Sequence, residues 1–260
     1  MVTGASSGIG AATAQAFAHA GARVVLVARN TERLEAVAQG LPHAPVVLTA
    51  DLGDAAQAAG IVERCVAACG RLDILINNAG LGLAGPVSEL KPSDLERVLA
   101  VDFLGPLASI RAAVPVMRRQ GRGQIINVSS VLAAAPLPYL GGYAAAKAAL
   151  ERASEALRME LRGSGIAISV VRPGTTNTGF SQNRLGSGSE RRRIAPKGVP
   201  PSRVAATILR AARNEPRRAY VTSGDQIAIW AAQLAPGLVE WVLNRAIRWD
   251  SGDNADAMMR

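Results

Sequence analysis

The sequence is poor in aromatic, cysteine and histidine side chains. Its 260 residues contain three Trp, three Tyr, three Phe, two Cys and two His. Cys65 and Cys69 lie four residues apart in a predicted helix, which is neither a zinc-binding spacing nor a disulfide framework, so we interpret them as packed thiols. His19 and His43 are isolated, so the sequence predicts no metal site. A disulfide-stabilised secreted domain and a zinc protein are therefore not expected.

Long apolar runs are also missing. The longest stretch without a charged side chain, residues 123–146, contains two prolines and a Gly-Gly pair, so it does not predict a membrane span. The first residues lack the charged and apolar regions of a signal peptide, and we expect a cytoplasmic protein. The apolar segment 226–247 is interrupted by Pro236, Gly237 and Glu240. We favour a pocket cover or an oligomer contact for this segment, with contact to a membrane surface as the less favoured alternative.

Positive charge is concentrated in one segment. The chain has 29 Lys and Arg against 20 Asp and Glu, a formal net charge of +9. Residues 181–220 hold ten basic and two acidic side chains. Such a cluster could attract phosphates, acidic carrier proteins or nucleic acid. Aromatic stacking residues are scarce there, so we interpret the segment as an arginine-rich surface and expect no nucleic-acid partner.

Short apolar runs alternate with amphipathic segments along most of the chain. The runs are nearly continuous in Val, Ile and Leu, as in strands buried on both faces of a parallel sheet. This pattern predicts an α/β fold, a single-domain Rossmann-type doubly wound parallel sheet with helices on both faces. Ser93 and Glu96 predict a capping box at the start of one helix. Strands are predicted at 23–28, 45–49, 72–77, 124–128, 166–171 and 219–222, and helices at 10–20, 31–39, 54–69, 92–120 and 141–162.

The predicted first strand is very short, because only Val2 and Thr3 precede a glycine-rich loop. A central strand of two residues would leave backbone groups of its neighbours unpaired. We therefore expect the natural chain to begin upstream of Met1. Adding about four apolar residues there should raise the melting temperature, and an unchanged melting temperature would contradict this expectation.

The loop after this strand consists of small residues and leads into a predicted helix. Its glycines permit a tight turn and let the backbone approach a pyrophosphate, whose charge meets the helix N-terminus. The position between a strand and a helix, within a repeating βα pattern, favours a dinucleotide site over a simple turn. The predicted cofactor contacts in this loop are Gly4, Ser6, Ser7, Gly8, Ile9 and Gly10.

The second predicted strand ends with Ala28-Arg29-Asn30. A site specific for NAD(H) usually has an acidic residue here, which binds the ribose 2′-hydroxyl. That acid is missing, and Arg29 can instead pair with a 2′-phosphate through two hydrogen bonds. The sequence therefore predicts NADP(H) as the preferred cofactor. NAD(H) is the alternative if Arg29 is only an exposed arginine in an arginine-rich protein.

Tyr143 and Lys147 lie one helical turn apart, so their side chains share one face of the predicted helix. A tyrosine with an ordinary pKa of about 10 is a poor base at neutral pH, and a nearby ammonium favours the phenolate. Ser130 follows a buried strand, at the sheet edge where ligands bind in open parallel sheets. Its hydroxyl can hold a substrate oxygen against Tyr143. Ser129 is the competing candidate for that role, and the spacing to Tyr143 favours Ser130.

Taken in order, these motifs resemble those of the classical short-chain dehydrogenase/reductase family. The resemblance implies an NAD(P)-dependent oxidoreductase that interconverts a carbonyl and an alcohol by hydride transfer, with Ser130, Tyr143, Lys147 and Asp102 as catalytic residues. It spans roughly residues 1–225 and rests on the loop from Thr3 to Gly10, Asp51, Asn77-Asn78-Ala79-Gly80, Ser130, Tyr143, Lys147, and Pro173-Gly174 with Thr178.

The same resemblance implies further contacts with a dinucleotide and an assembly of several copies. Family members are commonly dimers or tetramers through the helices that here include residues 91–120 and 141–163, so we expect a homodimer or homotetramer. By resemblance, Asp51 and Leu52 contact the adenine, and Asn78, Ala79 and Gly80 line the dinucleotide. Lys147 holds the nicotinamide ribose, and Tyr143 also contacts the cofactor. The nicotinamide carboxamide is held by Pro173, Gly174, Thr176 and Thr178.

One position departs from the family pattern. The family commonly has Asn within a V-N-x-x-G motif, in the helix before the Ser130 strand, where this chain has Asp102. In the family that Asn is associated with a water that extends the proton relay from the lysine. Asp102 preserves the contact if it is made by the main-chain carbonyl. A buried carboxylate could instead pair with Lys147 and weaken its effect on Tyr143, so we expect reduced but real activity.

Residues 1–225 are thus expected to form the catalytic domain, and 226–260 an apolar, helical C-terminal extension of it. Residues 179–200, rich in Ser, Gly and Arg, are expected to form a mobile lid over a lipophilic or acyl substrate. A protein that only senses the nucleotide would lack Tyr143 or Lys147, and both are present. An NAD(H)-dependent alcohol dehydrogenase remains the other alternative.

Overall fold

Seven of the strands form one parallel sheet in the computed structural model, which describes residues 1–186, 189–192 and 197–250. The strand order is β3-β2-β1-β4-β5-β6-β8, and every pairing between neighbours in it is parallel. Each predicted strand is present within about two residues of its predicted bounds, the usual scatter of strand ends. The strands are β1 Val2–Thr3, β2 Val25–Ala28, β3 Val46–Thr49, β4 Ile74–Asn77, β5 Gly123–Val128, β6 Ile166–Arg172, β7 Ser189–Arg192, β8 Arg218–Tyr220 and β9 Ile247–Asp250.

Helices cover both faces of the sheet and build one domain. On one face, α3 and α5 contribute Ile61 and Met117 to a core with Ile125 of β5. On the other face, α1 and α7 contribute Phe17 and Ile208 to a second core. The predicted doubly wound Rossmann-type fold is therefore confirmed. The helices are α1 Gly8–His19, α2 Thr31–Gln39, α3 Ala55–Cys69, α4 Pro92–Leu99, α5 Gly105–Gln120, α6 Gly141–Glu160, α7 Pro201–Asn214, α8 Ser223–Leu234 and α9 Pro236–Ala246.

The first strand lies at the centre of the sheet, although it has only two residues. Val2 pairs with Leu26 of β2 on one side and with Ile76 of β4 on the other. The Met1 carbonyl accepts a further hydrogen bond from the Ile76 N–H. Both neighbours are thus hydrogen-bonded to this segment, contrary to the expectation of unpaired neighbours. Because the strand order reverses between β1 and β4, a crevice opens there at the carboxyl ends of the strands, the usual ligand position in such sheets.

The predicted helix 92–120 is continuous but changes its winding. A π-helical segment, Ala100–Leu104, joins α4 to α5. Such wide turns inside an α-helix often occur at functional sites, and this one contains Asp102.

The predicted capping box at Ser93 and Glu96 is wrong, because Lys91 is the N-cap and Pro92 starts the helix. By length and composition the helical stretch Pro92–Gln120 could cross a membrane. The side of this stretch that carries Met117, however, packs into the core of the domain.

The C-terminal segment contains two helices and a strand. The axes of α8 and α9 meet at 115°, and counted as one broken span the pair also passes the length and hydropathy criteria for a membrane segment. Strand β9 then pairs antiparallel with β7, which belongs to the predicted lid. The sequence predicted a helical extension. This prediction is only partly correct, because the segment ends in strand β9. Residues 187–188 and 193–196 of the predicted lid lie outside the described residues, as do residues 251–260 of the extension.

Candidate active site

One large cleft, about 1750 Å³ in volume, lies along the carboxyl ends of the strands. It is lined by every predicted cofactor-binding residue, from Gly4 in the glycine-rich loop to Thr178 after β6. Ser130, Tyr143 and Lys147 line it as well, whereas Asp102 is not among the lining residues. Segments far apart in the sequence thus meet at the reversal of strand order, as the sheet topology requires.

The glycine-rich loop leaves the N-terminus of α1 open to this cleft. Gly4 and Gly8 adopt φ values of 65° and 54°, a left-handed conformation that suits glycine. Ser7 is the N-cap of α1 but makes no side-chain capping bond, and the first turn has no acidic residue. In α2 and α3, by contrast, a side chain caps the helix. The free N–H groups of α1 therefore point into the cleft, as required for binding a phosphate.

Thr3 and Asn78 hold the loop against the end of β4. The Thr3 hydroxyl accepts hydrogen bonds from the Asn78 and Ala79 N–H groups at 2.9 and 3.0 Å. The Asn78 amide donates to the Thr3 carbonyl at 2.9 Å. A Cβ atom on Gly10 would lie only 2.1 Å from the Gly4 carbonyl oxygen, so only glycine fits there. These contacts keep the cleft floor in a fixed shape.

The far end of the cleft is rich in arginine. Arg29, just after β2, and Arg33, in the first turn of α2, both line it. Arg97 binds both carboxylate oxygens of Asp51, at 2.9 and 2.7 Å. Burial alone would raise the pKa of Asp51, but the Gly53 N–H, Arg97 and the nearby charge of Arg29 lower it. The sequence did not reveal Arg33 and Arg97, because single arginines in α2 and α4 carry no motif.

Tyr143, Ser130 and Lys147 meet at the opposite end. Tyr143 and Lys147 share a face of α6, with the ammonium 5.9 Å from the centre of the phenol ring. The Ser130 side chain lies near enough to Tyr143 to lower the pKa of the phenol, and it accepts a hydrogen bond from the Leu132 N–H at 3.2 Å. Ser129 is buried, and its hydroxyl has no hydrogen-bond partner among the described residues. The geometry therefore favours Ser130 over Ser129 as the partner of Tyr143.

Asp102 lies behind this group and forms an ion pair with Lys147. The distance from Nζ to the Asp102 Oδ2 is 3.3 Å, and both side chains are at most 4% exposed. Lys147 also donates to the Val128 carbonyl at 3.2 Å. The pairing that the sequence left open is thus present in the structure.

Ionisation of Tyr143 is unfavourable in this environment. Burial raises the pKa of Tyr143 well above its usual range, the negative charge of Asp102 raises it further, and the nearby Ser130 side chain lowers it. Burial also raises the pKa of Asp102, against the lowering effect of Lys147. In both residues the dominant cause is the removal of a charged group from water.

The loop after β6 is held from two sides. Arg172 forms a buried ion pair with Glu151 of α6, with a hydrogen bond of 2.9 Å from its Nε, and a second bond to the Tyr220 hydroxyl. Asp225 of α8 lies so near Gly174 that a Cβ atom there would come within 2.1 Å of its carboxylate. Asp225 and Thr222 form a capping box at the start of α8. The sequence did not suggest these supporting contacts.

Apolar side chains surround the remaining part of the cleft, next to Tyr143. The Phe180 ring lies 5.6 Å from the Tyr143 ring. Leu185, in the predicted lid, pairs with Leu83 through a β-bridge. The apolar residues that line the cleft include Leu81, Leu83, Leu132, Leu137, Leu140, Phe180, Leu185, Ile229, Val239 and Leu243.

The arrangement fits a nicotinamide dinucleotide. The uncapped α1 N-terminus suits a pyrophosphate, and the arginines at the far end suit a phosphorylated ribose. Ser129, whose hydroxyl has no hydrogen-bond partner among the described residues, also lines the cleft. No group of three His, Cys, Asp or Glu that could hold a metal occurs in the described ranges. Fold and cleft together define a dinucleotide-binding oxidoreductase.

Comparison with known proteins identifies the family. The pattern of the short chain dehydrogenase family matches residues 1–186. The chain is 33% identical over 253 residues to the bovine (Bos taurus) dehydrogenase/reductase SDR family member 7B, covering 92% of this chain and 78% of that protein. It is 32% identical over 258 residues to the dehydrogenase/reductase SDR family protein 7-like of Anopheles gambiae, covering 94% of this chain and 81% of that protein.

Solved structures give the same result. A short-chain dehydrogenase from Streptomyces avermitilis superposes with a TM-score of 0.79 at 29% identity, covering 92% of this chain and 94% of that one. One from Sphingobium yanoikuyae, in complex with NADPH, gives 0.77 at 29% identity, covering 95% and 94%. The chain belongs to the short-chain dehydrogenase/reductase family and is an oxidoreductase that acts on CH–OH groups with NAD(P).

Proposed function

We propose that the protein is an NADP(H)-dependent oxidoreductase that interconverts a lipophilic carbonyl compound and its alcohol. The observation that carries this proposal is the meeting of Ser130, Tyr143 and Lys147 at the apolar end of the cleft. Bound NADPH would supply the hydride for the carbonyl carbon. A protein that only senses the nucleotide would need no such group of side chains beside an apolar pocket.

Each side chain has a distinct role in this proposal. Ser130 donates a hydrogen bond that orients the substrate oxygen, and Tyr143 gives its phenolic proton to that oxygen as it gains negative charge. Lys147, fixed by Val128 and Asp102, holds the ribose next to the ring. In alcohol oxidation, the Tyr143 phenolate accepts the proton instead. The glycine-rich loop and the loop after β6 bind the cofactor and orient it.

The preference for NADP(H) is supported by Arg29. Its guanidinium lies near enough to Asp51 to influence that carboxylate, at the end of the cleft remote from Tyr143. Arg33 adds a second positive charge there, and β2 ends without an acidic residue. Two arginines favour a 2′-phosphate, because charge-assisted hydrogen bonds are stronger than neutral ones.

The preference for a lipophilic substrate is supported by the walls of the cleft. Ile229 of α8 and Val239 and Leu243 of α9 extend the apolar surface beyond Phe180. Oxidation of NADPH should be followed with aldehydes, ketones and 3-oxoacyl thioesters of increasing chain length. We expect kcat/KM to rise with chain length, because each buried methylene contributes about 0.8 kcal/mol. Equal or higher kcat/KM for short polar carbonyls would contradict the lipophilic assignment.

A larger side chain at Val239 should narrow this pocket. We expect Val239→Trp to raise KM for the longest accepted substrate by about tenfold, because a change of a few carbon atoms in an apolar pocket has effects of this size. The shortest substrate should be converted with little change. Val242→Trp is the matched control, since Val242 lies on the same helix but is 47% exposed and does not line the cleft. If both variants gave the same KM values as the parent protein, α9 would not form part of the substrate pocket.

A further inference from the structure

We propose that Asp102 extends to alkaline pH the range over which Tyr143 acts as a proton donor. The inference rests on the proposed function, because it assigns the effect of Asp102 to the proton transfer by Tyr143. It makes Asp102 a positioning residue that acts through Lys147 and Tyr143, not a group that touches the substrate. A family member with the usual Asn at this position would lack the effect.

The position of the Asp102 carboxylate is fixed by the fold. Its Oδ1 accepts a hydrogen bond of 2.7 Å from the Leu81 N–H, just after β4. Its Oδ2 is 3.3 Å from the Lys147 Nζ and has no hydrogen-bond partner within the described part of the chain. Gly80 leaves room for the pair, because a Cβ atom there would lie 3.3 Å from that Nζ. The π-helical segment carries the carboxylate inward, where it is fully buried.

Two charged groups lie close to Tyr143, and the charged side chains of Arg184, Lys197 and Asp225 also line the cleft. Lys147 approaches from α6 and Asp102 from the π-helical segment. The Ser130 hydroxyl and the Phe180 ring, on the other sides, are uncharged. Lys147 alone would favour the phenolate by its positive charge. Because Asp102 supplies an equal negative charge next to it, little net charge remains to stabilise the phenolate.

This charge balance determines when the phenol loses its proton. Burial and Asp102 both raise the pKa of Tyr143. In carbonyl reduction, the hydride from NADPH forms a C–H bond and the Tyr143 proton forms the O–H bond, after which solvent returns a proton to the phenolate. The rate of reduction therefore stays constant with pH as long as the phenol is protonated. Asp102→Asn keeps the acceptor for the Leu81 N–H but leaves Lys147 uncompensated, so the phenol ionises at lower pH.

The test is the pH profile of kcat/KM for carbonyl reduction with NADPH. We expect a flat profile up to about pH 10 in the parent protein, since the phenol keeps its proton to above its ordinary pKa. In Asp102→Asn we expect kcat/KM to fall by about tenfold per pH unit at alkaline pH. The midpoint of this fall should lie at least about one pH unit below that of the parent protein. Alcohol oxidation should change in parallel, rising throughout in the parent and levelling off in the variant. Glu96→Gln is the matched control, because Glu96 is exposed on α4 and loses the same charge.

A second measurement does not require a folded Asp102→Asn protein. The ultraviolet difference between the parent protein and Tyr143→Phe, followed during alkaline titration, reports the Tyr143 phenolate alone. We expect no such signal below about pH 10, the ordinary pKa of tyrosine. A phenolate formed at or below that pH, or superimposable profiles for the parent and Asp102→Asn, would overturn the proposal. Full activity in Tyr143→Phe would instead overturn the proposed function, so the two failures are distinguishable.

Discussion

Replacing Tyr143 with phenylalanine is expected to lower kcat for carbonyl reduction by about 10² to 10⁴-fold, the usual contribution of a positioned general acid. The substitution removes one oxygen atom from a buried side chain whose ring packs against Phe180 and in the Leu83 and Val98 cluster. The ring contacts remain, so the fold should be retained. The loss should appear in kcat, because the proton is needed only as charge develops on the substrate oxygen.

Three measurements make this result specific. Steady-state rates at saturating NADPH give kcat, fluorescence titration gives the affinity for NADPH, and thermal unfolding reports the fold. Tyr139→Phe is the matched control: it loses the same hydroxyl four residues earlier, at a position that does not line the cleft, and kcat should stay within about twofold. If Tyr143→Phe kept most of the parent activity, another group would have to be the proton donor.

Replacing Arg29 with aspartate is expected to reverse the cofactor preference. The substitution removes charge-assisted hydrogen bonds to the 2′-phosphate and places a carboxylate next to Asp51, which repels a phosphate but can accept from a ribose hydroxyl. Charge-assisted hydrogen bonds contribute about 1.5 to 3 kcal/mol, so the ratio of kcat/KM for NADPH over NADH should fall by about 100-fold. The measurement is kcat/KM for each cofactor at a saturating concentration of one carbonyl substrate.

Arg23→Asp provides the control for long-range charge effects. Arg23 is exposed, lies just before β2 at the other end of that strand, and does not line the cleft. Its replacement changes the net charge by the same amount and should leave the cofactor ratio unchanged. If the ratio also stayed unchanged in Arg29→Asp, Arg29 would not bind the 2′-phosphate. Arg33, which lines the same end of the cleft, would then be the residue to replace.

Much of the fold could be predicted because it depends on local patterns. Strands β2 to β6 are nearly continuous in Val, Ile and Leu, and only a sheet covered on both faces buries such runs. The glycine-rich loop and the carboxyl ends of the strands then predicted which residues would line the cleft. The capping box at Ser93 was wrong because Pro92 forms the first helical position with Lys91 as the N-cap. Local capping patterns are weak signals when a proline starts the helix one residue earlier.

The supporting contacts could not be predicted, because they join residues far apart in the chain. Arg97 and Asp51 are separated by 46 positions, and Arg172 and Glu151 by 21. A single charged residue in a helix carries no sign of its partner. The pairing of β7 with β9 has the same origin, since β7 contains no apolar residue and the alternation in β9 covers only four residues.

By itself, the sequence determined the class of fold, the cleft residues and the pair Tyr143 and Lys147, because spacing along a helix or strand places side chains on one face. Only the tertiary structure decided the relation between Asp102 and Lys147. The sequence left open whether the carboxylate meets the ammonium, since the answer depends on how the π-helical segment packs against α6. Once both groups are buried 3.3 Å apart, their charges act on Tyr143 together. Distances and burial set electrostatic effects, and the fold alone sets both.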